Sequence, residues 1–569
     1  MKVFYRGQGA WGNSKPAGLT SDPNLLALSG NDWDDYETKT TLNASLYFDG
    51  KRLDFDFNIK VLIEGCNYTA KALNEMRKAN WDGFFPIPSA HYISLPSDIE
   101  FYSILISKLG VDRARTVLEL LSDAGLQKNV IQDESFSAVL QSPEFANSLL
   151  RESGAVKSFE DGWRVFEGSS IEIQDFELNI LSHEKMSKTI PFCFESSILP
   201  YDINVLIGPN GIGKSYSIKS LVEYWLKTGI GEPSYLEELG HKPFNKTPNF
   251  RNLILVSYSP FEEFEVDLEQ SNLQDKQAYV YFGFRYKKQD GNIGISRNLP
   301  AYNSAQSIVK AIYDDEKFSF IANRVKKLST VENAFNSAFS FDSMVLEVKD
   351  SSWLGILSLS LTKIDEKQYL LLNADLPKLV SSEVLIAACD LEKGVVFLKD
   401  NKLYSLSSGQ RLFTYIVINV VGELRENSLV VIDEPELFLH PTLEIEFISL
   451  LKAVLKPFKS KAVLATHSLS IVREVPSKCV HIFRDEGHGL DIMPPPFETF
   501  GGSVQRISSY VFGDKSVTKP FDNWLKELVE KELAKKNPDI EKLIESLGDE
   551  VNEQVMMKIL RLGRQANGS

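Results

Sequence analysis

Cysteine and histidine are scarce in this sequence of 569 residues. Its four cysteines include no C-x-x-C pair, and its seven histidines do not cluster with them, so neither a disulfide framework nor a zinc site is indicated. The densest apolar stretch, Tyr415 to Val421, is far shorter than the ~20 residues that span a bilayer. The first residues also lack the apolar core of a signal peptide. We therefore expect a cytoplasmic protein with no membrane partner.

Basic residues are fewer than acidic ones: 62 Lys+Arg against 77 Asp+Glu give a net charge of −15. Such a field repels nucleic acid and anionic membrane at long range, so a polyanion would need a local basic patch. Residues 281–330 are one candidate, with nine basic residues against four acids and with Tyr281, Phe284, Tyr286 and Phe318 interleaved. The segment either binds nucleic acid or forms the solvated charged face of an inserted subdomain.

The length predicts three or four domains, at roughly 150 residues for each. Residues 1–40 are rich in Gly, Asn, Asp and Ser, and we expect them to be irregular or peripheral. A β-hairpin is predicted around Asp49-Gly50. Apolar spacing then predicts helices at Asp98–Leu109, Asp112–Ala124 and Pro143–Glu152. These elements indicate an accessory α+β domain over residues 1–165.

From residue 166 onward, apolar strands alternate with helical stretches, as in an α/β fold with a parallel sheet. We predict this second domain over residues 166–517, with an inserted subdomain at about 260–400, and a helical tail over residues 518–569. The tail carries two apolar stripes, and it either docks a partner or packs on its own chain. The predicted strands are Ile203–Ile207, Asn252–Tyr258, Ala278–Phe284, Leu429–Ile432, Ala462–Ala465 and Val480–Phe483.

A phosphate-binding loop follows the first of these strands. The sequence from Gly208 to Ser215, GPNGIGKS, matches G-x-x-x-x-G-K-[ST] and precedes a helix, which is the context that the motif requires. Its glycines let backbone N–H groups turn toward phosphates, Lys214 reaches the β and γ oxygens, and Ser215 binds Mg²⁺. We therefore predict an ATP·Mg²⁺ site whose nucleotide-binding residues are Gly208, Asn210, Gly211, Gly213, Lys214, Ser215 and Tyr216.

Two carboxylates end the apolar strand that starts at Leu429. The carboxyl edge of a parallel sheet is where its ligands bind, so we expect Asp433 to act beside Ser215 as a magnesium ligand. Glu434 is predicted to polarise the attacking water, since a nucleotide hydrolase needs an acceptor about one hydrogen bond from the nucleophile.

These motifs resemble those of the ATP-binding-cassette (ABC) ATPases. Leu406-Ser407-Ser408-Gly409-Gln410 is similar to the L-S-G-G-Q signature of that family, and 18 residues separate it from Leu429. The resemblance implies an ABC-type head with a parallel-sheet core and an antiparallel β subdomain. It also implies that Ser407, Gly409 and Gln410 contact the nucleotide of a second copy, in a head-to-head dimer.

The same resemblance gives His467 a catalytic role. His467 lies in Ala-Thr-His-Ser, 33 residues after Glu434, where the family has a switch histidine that reads the γ-phosphate. With Glu434 and Lys214 it completes the predicted catalytic set. The family's loop glutamine is missing after the strand Asn252–Tyr258, which leaves its sensing role unassigned, with Ser259 and Glu262 as candidates by position.

A narrower resemblance covers roughly residues 168–515. The sequences D-E-P-E-L-x-L-H-P and A-T-H-S resemble those of the soluble overcoming-lysogenisation-defect ATPases. A closer resemblance is to the ATPase subunit of Septu-type anti-phage systems, including those attached to retrons, and it rests on the stretches INVLIGPNGIGKS, LILVSYSPFEEF, YVYFGFR, LYSLSSGQR, VIDEPELFLHP, ATHS and ETFGGSVQRISSYVFGD. This implies a regulatory ATPase that controls a separate HNH nuclease. The alternative is a stand-alone DNA repair or maintenance ATPase, similar to the chromosome-structure (SMC) proteins, that acts on DNA directly.

Overall fold

The structure of the chain is a computed structural model that forms two compact units, Met1–Val504 and Gln505–Ser569. Because this division falls only at residue 504, the predicted boundary at residue 165 stays a prediction, as do the boundary at 517 and the insertion at 260–400. The described residues are 1–8, 22–31, 33, 38–167, 171–196, 198–227, 232–269, 271, 273, 275–321, 324–349, 360–485, 489–512, 520–535, 538–548, 551 and 553–567.

A five-stranded sheet opens the first unit, with strands β1 (Lys2–Gln8), β2 (Leu25–Gly30), β3 (Thr41–Phe48), β4 (Lys51–Ile63) and β5 (Tyr92–Pro96). The spatial order is β1-β2-β3-β4-β5, with β1 parallel to β2 and every later pair antiparallel. The predicted hairpin is confirmed, since β3 and β4 are joined at Asp49-Gly50 and both residues have positive φ.

The prediction that residues 1–40 are irregular is wrong for β1 and β2. All six residues of β2 are buried. A strand buried on both faces shows a continuous apolar run instead of alternation, so its short sequence Leu25–Gly30 carries little periodic signal. Residues 9–21, 32 and 34–37 of this stretch lie outside the described residues.

Six helices accompany the sheet: α1 (Thr69–Lys78), α2 (Glu100–Leu109), α3 (Val111–Leu121), α4 (Ala124–Leu126), α5 (Ser137–Leu140) and α6 (Ser153–Asp161). The first two predicted helices are confirmed as α2 and α3, with ends shifted by a few residues. The third prediction is confirmed over residues 143–149, which end in a π-helical turn at Phe145–Leu149, and is wrong over residues 150–152, where Glu152 is extended. Here the Ser148 carbonyl accepts a 2.6 Å bond from the buried Lys60 Nζ instead of continuing the helix.

The remainder of the first unit alternates strands with helices. Its helices are α7 (Lys214–Leu226), α8 (Glu232–Glu238), α9 (Leu299–Lys317), α10 (Lys327–Ala338), α11 (Leu376–Leu379), α12 (Ser382–Ala388), α13 (Ser408–Glu423), α14 (Pro441–Leu455) and α15 (Leu469–Val472). The strands are β6 (Phe176–Leu181), β7 (Ser187–Phe192), β8 (Ile203–Ile207), β9 (Leu253–Ser257), β10 (Tyr279–Gly283), β11 (Arg285–Lys287), β12 (Ile293–Ile295), β13 (Ser343–Glu347), β14 (Leu361–Ile364), β15 (Lys367–Leu371), β16 (Val396–Lys399), β17 (Lys402–Tyr404), β18 (Leu429–Asp433), β19 (Lys461–Thr466), β20 (Val480–Asp485) and β21 (Leu490–Met493).

A seven-stranded sheet forms the centre of this α/β fold, in the order β10-β9-β18-β19-β8-β20-β21. All pairs are parallel except β20 with β21. The predicted strands at 203, 252, 278, 429, 462 and 480 are all confirmed within this sheet. Because β8, β9, β18 and β19 run the same way, the residues that follow them gather at one edge.

Antiparallel pairing occupies three smaller sheets: β6-β7, β11-β12 and β14-β15-β13-β16-β17. Helix α9 packs closely along α13, where an added Cβ at Gly422 would lie 2.8 Å from the Ser307 carbonyl oxygen. This close approach explains a glycine within the last turn of α13, whose first turn carries the signature sequence.

The second unit is helical, as the sequence predicts for the tail. Helix α16 (Val504–Val511) crosses its boundary, and α17 (Pro520–Leu533), α18 (Ile540–Leu547) and α19 (Glu553–Asn567) follow. Leu525, Val529 and Ile559 form a small core against which the predicted second stripe, Ile540, Leu543, Ile544 and Leu547, packs. No helix in the described ranges is long and apolar enough to cross a membrane.

A buried ion network joins the N-terminal sheet region to the central sheet. Arg251, two residues before β9, donates from Nη2 to Asp98 at 2.7 and 2.8 Å and to Glu100 at 2.8 Å. Arg324 also contacts Glu100, and Arg425, four residues before β18, lies 3.4 Å from Asp98. Arg251 is only 7% exposed, and the arginines hold the pKa of Glu100 well below its usual range although burial opposes this.

The buried His481 makes the free energy of unfolding depend on pH. It is buried in β20, 3.1 Å from Asn204 Oδ1, and burial lowers its pKa to about 3. Since an unfolded histidine has a pKa near 6.5, stability is complete above that pH and falls as the pH drops below it. Between pH 7.5 and 5.5 we expect His481 to remove about 1.4 kcal/mol from the free energy of unfolding.

Urea unfolding of the wild-type protein and of His481→Gln at the two pH values measures this contribution. The variant should lose about 1.4 kcal/mol less than the wild type over the same interval, because the other six histidines are common to both proteins. An equal loss in both proteins would contradict the assignment.

Candidate functional site

The phosphate loop connects the carboxyl end of β8 to the first turn of α7. Gly211 and Gly213 have φ of 73° and 107°, a region that side chains disfavour. Gly208 has no room for a side chain, since a Cβ there would lie 2.4 Å from the Phe483 carbonyl oxygen. The loop glycines are therefore required by backbone conformation and by packing against β20. They place the N-terminus of α7 at the loop, and the positive end of the helix dipole suits an anion there.

Lys214 is buried within this loop. Its Nζ donates to the carbonyl oxygens of Gly208 at 3.0 Å and Pro209 at 3.1 Å, and it lies 2.8 Å from His467 Nε2. Burial lowers the pKa of Lys214, against the attraction of neighbouring carboxylates. An arriving phosphate would compete for the same ammonium protons, so nucleotide binding must replace some of these bonds.

Asp433 is the last residue of β18 and is 1% exposed. Its Oδ1 accepts a 3.2 Å hydrogen bond from Ser215 Oγ, whereas its Oδ2 is buried with no hydrogen-bond partner. Burial, together with the charges of Glu262 and Glu434, raises the Asp433 pKa to about 8. A buried carboxylate oxygen without a donor is suited to a cation, so Ser215 and Asp433 fit the predicted Mg²⁺ site.

Glu434 follows Asp433 in a left-handed conformation, with φ 51° and ψ 56°. Non-glycine residues rarely adopt this region, and such strain occurs most often at functional sites. Its N–H donates to the Ala465 carbonyl at 2.8 Å, which fixes the turn, and its Oε1 lies 3.9 Å from His467 Nε2. The chain reversal thus keeps the Glu434 carboxylate beside the histidine that follows β19.

His467 completes this group from the neighbouring strand. Burial and the adjacent Lys214 charge lower its pKa to about 4, so at neutral pH the ring is uncharged and its Nε2 can accept a hydrogen bond from Lys214 Nζ. Its backbone N–H donates to Glu436 Oε1 at 2.5 Å. No role was predicted for Glu436 from the sequence, although its place in Asp-Glu-Pro-Glu was a usable signal.

The loop after β9 supplies one more carboxylate. Burial and the charge of Glu434 raise the pKa of Glu262, while the Ser215 hydroxyl lowers it. Of the two candidates by position, Glu262 therefore reaches the site. Ser259 instead contacts its own loop, since its Oγ accepts from Phe261 N at 3.4 Å.

The signature sequence forms the first turn of α13. Ser407 Oγ accepts from Gln410 N at 3.2 Å and Gln410 Oε1 accepts from Ser407 N at 3.0 Å, a reciprocal pair that fixes the turn. Ser407 and Ser408 are exposed, whereas Gly409 is buried. Among the described residues no hydrogen bond connects this turn to Lys214, Ser215 or Asp433.

A cavity of about 530 Å³ lies beside the phosphate loop. Tyr216 lines it together with Tyr235 of α8 and the β6-β7 turn. Sequence reasoning missed Tyr235 because no motif connects α8 to the loop. A flat aromatic ring and a polar turn beside Gly211 and Gly213 suit the base and ribose of a nucleotide.

The basic segment 281–330 does not form one uniform cationic face. Lys327 is buried and donates to Asp314 and to the Gly422 carbonyl, and Lys310 contacts Glu423. Tyr281 and Phe318 are also buried. Nucleic-acid binding stays a prediction, and the exposed basic residues that remain for it include Lys288, Arg297 and Lys326.

Comparisons with known proteins begin with a family match. Residues 286–473 match the family model described as "AAA domain, putative AbiEii toxin, Type IV TA system". The matched range contains Ser407, Asp433, Glu434 and His467 and begins after the phosphate loop. Over 523 residues the chain is also 25% identical to Protein ea59 of Escherichia phage lambda, covering 90% of this chain and 91% of that protein.

Solved structures give weaker similarities. The SMC head domain from Thermotoga maritima is 12% identical, with a TM-score of 0.24, and the alignment covers 57% of this chain and 100% of that one. MJ1267, an ATP-binding cassette of an ABC transporter in its ADP conformation, is 13% identical with a TM-score of 0.24, over 58% of this chain and 94% of that one. The sheet order, rather than these low scores, defines the fold.

Proposed function

We propose that the protein, a P-loop ATPase of the ABC/SMC-like class, hydrolyses ATP in the presence of Mg²⁺ and serves as the regulatory subunit of an anti-phage defence complex. In this proposal the nucleotide state controls a separate nuclease. The observation that carries the ATPase part is the convergence of three chain segments at one sheet edge, which brings together Lys214, Ser215, Asp433, Glu434 and His467.

Each of these residues has a chemical task in the proposed reaction. Lys214 and the α7 N-terminus bind the phosphate oxygens, and Ser215 with Asp433 would hold Mg²⁺. When bound, Mg²⁺ would neutralise charge on the β- and γ-phosphates. Glu434 orients and polarises the attacking water, and the neutral His467 reports the γ-phosphate through its contacts with Lys214 and Glu434.

The proposed cycle uses a second copy of the chain. Ser407 and Ser408 of this turn are exposed, and the reciprocal hydrogen bonds with Gln410 fix its conformation. In the part of the chain that the structure describes, the turn makes no hydrogen bond to its own phosphate loop. A helix N-terminus with an exposed serine suits a γ-phosphate presented by another subunit. ATP would therefore close a head-to-head dimer and hydrolysis would reopen it. The bound nucleotide would thus determine whether the dimer is open or closed.

The defence role draws support from the sequence relatives. The motif stretches resemble Septu-type and retron-associated ATPases, for which an HNH nuclease is the implied partner. The 25% identical protein belongs to a bacteriophage, and the matched family description names a toxin. These two descriptions are compatible with the defence role, which the resemblance to Septu-type ATPases chiefly supports.

Co-purification tests the regulatory proposal. The chain, co-expressed with its genomic neighbours, should retain a nuclease subunit on affinity purification, identified by mass spectrometry, with any bound nucleic acid extracted from the same complex. Lys214→Ala serves as a matched bait that reports whether retention depends on nucleotide. A lone homodimer whose hydrolysis is stimulated by DNA would contradict the proposal and favour the DNA maintenance alternative.

A further inference from the structure

His467 and Ser468, which directly follow β19, are each bonded to a carboxylate from the segment that follows β18. The His467 backbone N–H donates to Glu436 Oε1, and Ser468 Oγ donates to Glu444 Oε2, both at 2.5 Å. β18 and β19 are parallel neighbours, so these segments leave the same edge of the sheet. The chain that carries the His467 ring is therefore held by the chain that carries Glu434.

Glu444 occupies an apolar position of α14. It lies one turn before the buried residues of the helix, and the i, i+3, i+4, i+7 spacing places it on their face, where packing alone would favour a leucine. These residues are Phe447, Ile448 and Leu451. An acid in the first turn suits the helix dipole, but an exposed position would serve that equally. Glu444 is only 7% exposed, and its bond to Ser468 offsets the cost of burying a carboxylate.

Ser468 fixes the backbone on both of its sides. Its Oγ accepts a 3.2 Å bond from Ile471 N as the N-cap of α15, and its own N–H donates to Thr466 Oγ1 at 2.9 Å. Because the hydroxyl gives its proton to Glu444, its lone pairs remain available to cap α15. The turn that includes His467 is thereby fixed to α14 through the buried Ser468 side chain.

The position of this turn decides what the His467 ring can reach. Its Nε2 lies 2.8 Å from Lys214 Nζ and 3.9 Å from Glu434 Oε1. A histidine ring is attached to its backbone through few rotatable bonds, so a displaced backbone moves the ring with it. In enzymes a misplacement of about 1 Å can lower the rate by about 10²-fold. Small shifts at Ser468 would therefore alter the contacts of His467.

We propose that Glu444, acting through Ser468, is a positioning residue that sets the place of the His467 ring. The consequence for catalysis rests on the proposed ATPase function, in which His467 reports the γ-phosphate. Glu444 does not bind the nucleotide in this proposal. Its loss should impair the steps that involve the γ-phosphate and spare the contacts with the rest of the nucleotide.

Glu444→Met in the full-length protein keeps the buried volume and removes the acceptor. We expect kcat for ATP hydrolysis to fall by about 10- to 100-fold with ADP affinity unchanged, whereas a merely structural defect would weaken ADP and ATP binding together. Glu444→Gln keeps an oxygen that can accept from Ser468 and should restore most of kcat. Glu446→Met is the matched control, because it makes the same change at an exposed position of the same helix and should leave kcat unchanged.

The place of the ring can be measured without nucleotide. Isotope-labelled histidine rings give NMR signals, and His467→Gln identifies the signal that belongs to His467. This signal should shift in nucleotide-free Glu444→Met and stay in place in Glu446→Met, because only the first variant releases Ser468.

The outcomes separate this inference from the ATPase proposal. If the wild type hydrolyses ATP and Glu444→Met matches it, or if Glu444→Gln is as impaired as Glu444→Met, the inference is overturned and the ATPase proposal stands. Should Glu444→Met fail to fold, Ser468→Ala removes the donor instead, and normal hydrolysis by that variant would overturn the inference. If the wild type binds no ATP with Mg²⁺, the ATPase proposal fails, and a His467 signal that shifts only in Glu444→Met still supports the positioning role.

Discussion

Lys214→Ala is expected to abolish ATP binding by the full-length protein. The ammonium group contributes charge-assisted hydrogen bonds to phosphate, each worth about 1.5 to 3 kcal/mol, so the loss of two corresponds to about 10²- to 10⁴-fold in affinity. Equilibrium titration with a fluorescent ATP analogue in the presence of Mg²⁺ measures this loss directly.

Two further variants make the Lys214 result interpretable. Lys214→Met retains the buried aliphatic volume without the charge, and it should lose binding to the same extent. Lys219→Ala removes another lysine of the same helix, whose Nζ lies 3.9 Å from Glu223 Oε1. This variant should bind ATP normally. If Lys214→Met binds ATP like the wild type, the phosphate loop is not the nucleotide site.

Glu434→Gln is expected to stop hydrolysis and to trap an ATP-bound dimer. The amide keeps the size of the side chain and tolerates the left-handed backbone as glutamate does, but it cannot act as a base, which costs about 10²- to 10⁴-fold in kcat. Light scattering during gel filtration with ATP and Mg²⁺ should show a dimer for this variant and a smaller dimer fraction for the wild type.

The signature turn gives this second prediction its control. Ser407→Arg in the Glu434→Gln background places a large side chain at an exposed position of the turn and should prevent the dimer while each chain still binds ATP. A monomer that ATP leaves unchanged in the single variant would refute the sandwich. A dimer that persists in the double variant would mean that the subunits associate through another surface.

Local motifs allowed the side chains that meet at the candidate site to be predicted. The phosphate loop, the strand that ends at Asp433 and the strand before His467 each depend on a short run in which backbone geometry and burial dictate residue type. Their side chains meet because parallel strands end at one edge, a rule that needs no knowledge of long-range contacts. Lys214, Asp433 and His467 are therefore close together, as the sequence indicated.

Other parts of the fold depend on contacts that no short stretch of sequence contains. The position of Glu262 follows from a loop anchored by Arg285, which comes from another strand. β2 lacks periodicity because both of its faces are buried. The wide turn at Phe145–Leu149 depends on Lys60, a residue about ninety positions earlier in the chain.

The carboxylates of Asp98 and Glu100 also limit how this protein can be rearranged by evolution or by design. Arg251, at the start of a central strand, is 7% exposed and depends on them for its charge partners. Removing one side of a buried ion pair typically costs about 3 to 5 kcal/mol, a large part of the stability of an ordinary domain. The two regions are thus not interchangeable modules. A recombinant or gene fusion that replaces residues 1–165 must therefore supply carboxylates at the positions of Asp98 and Glu100, or Arg251 must be replaced as well.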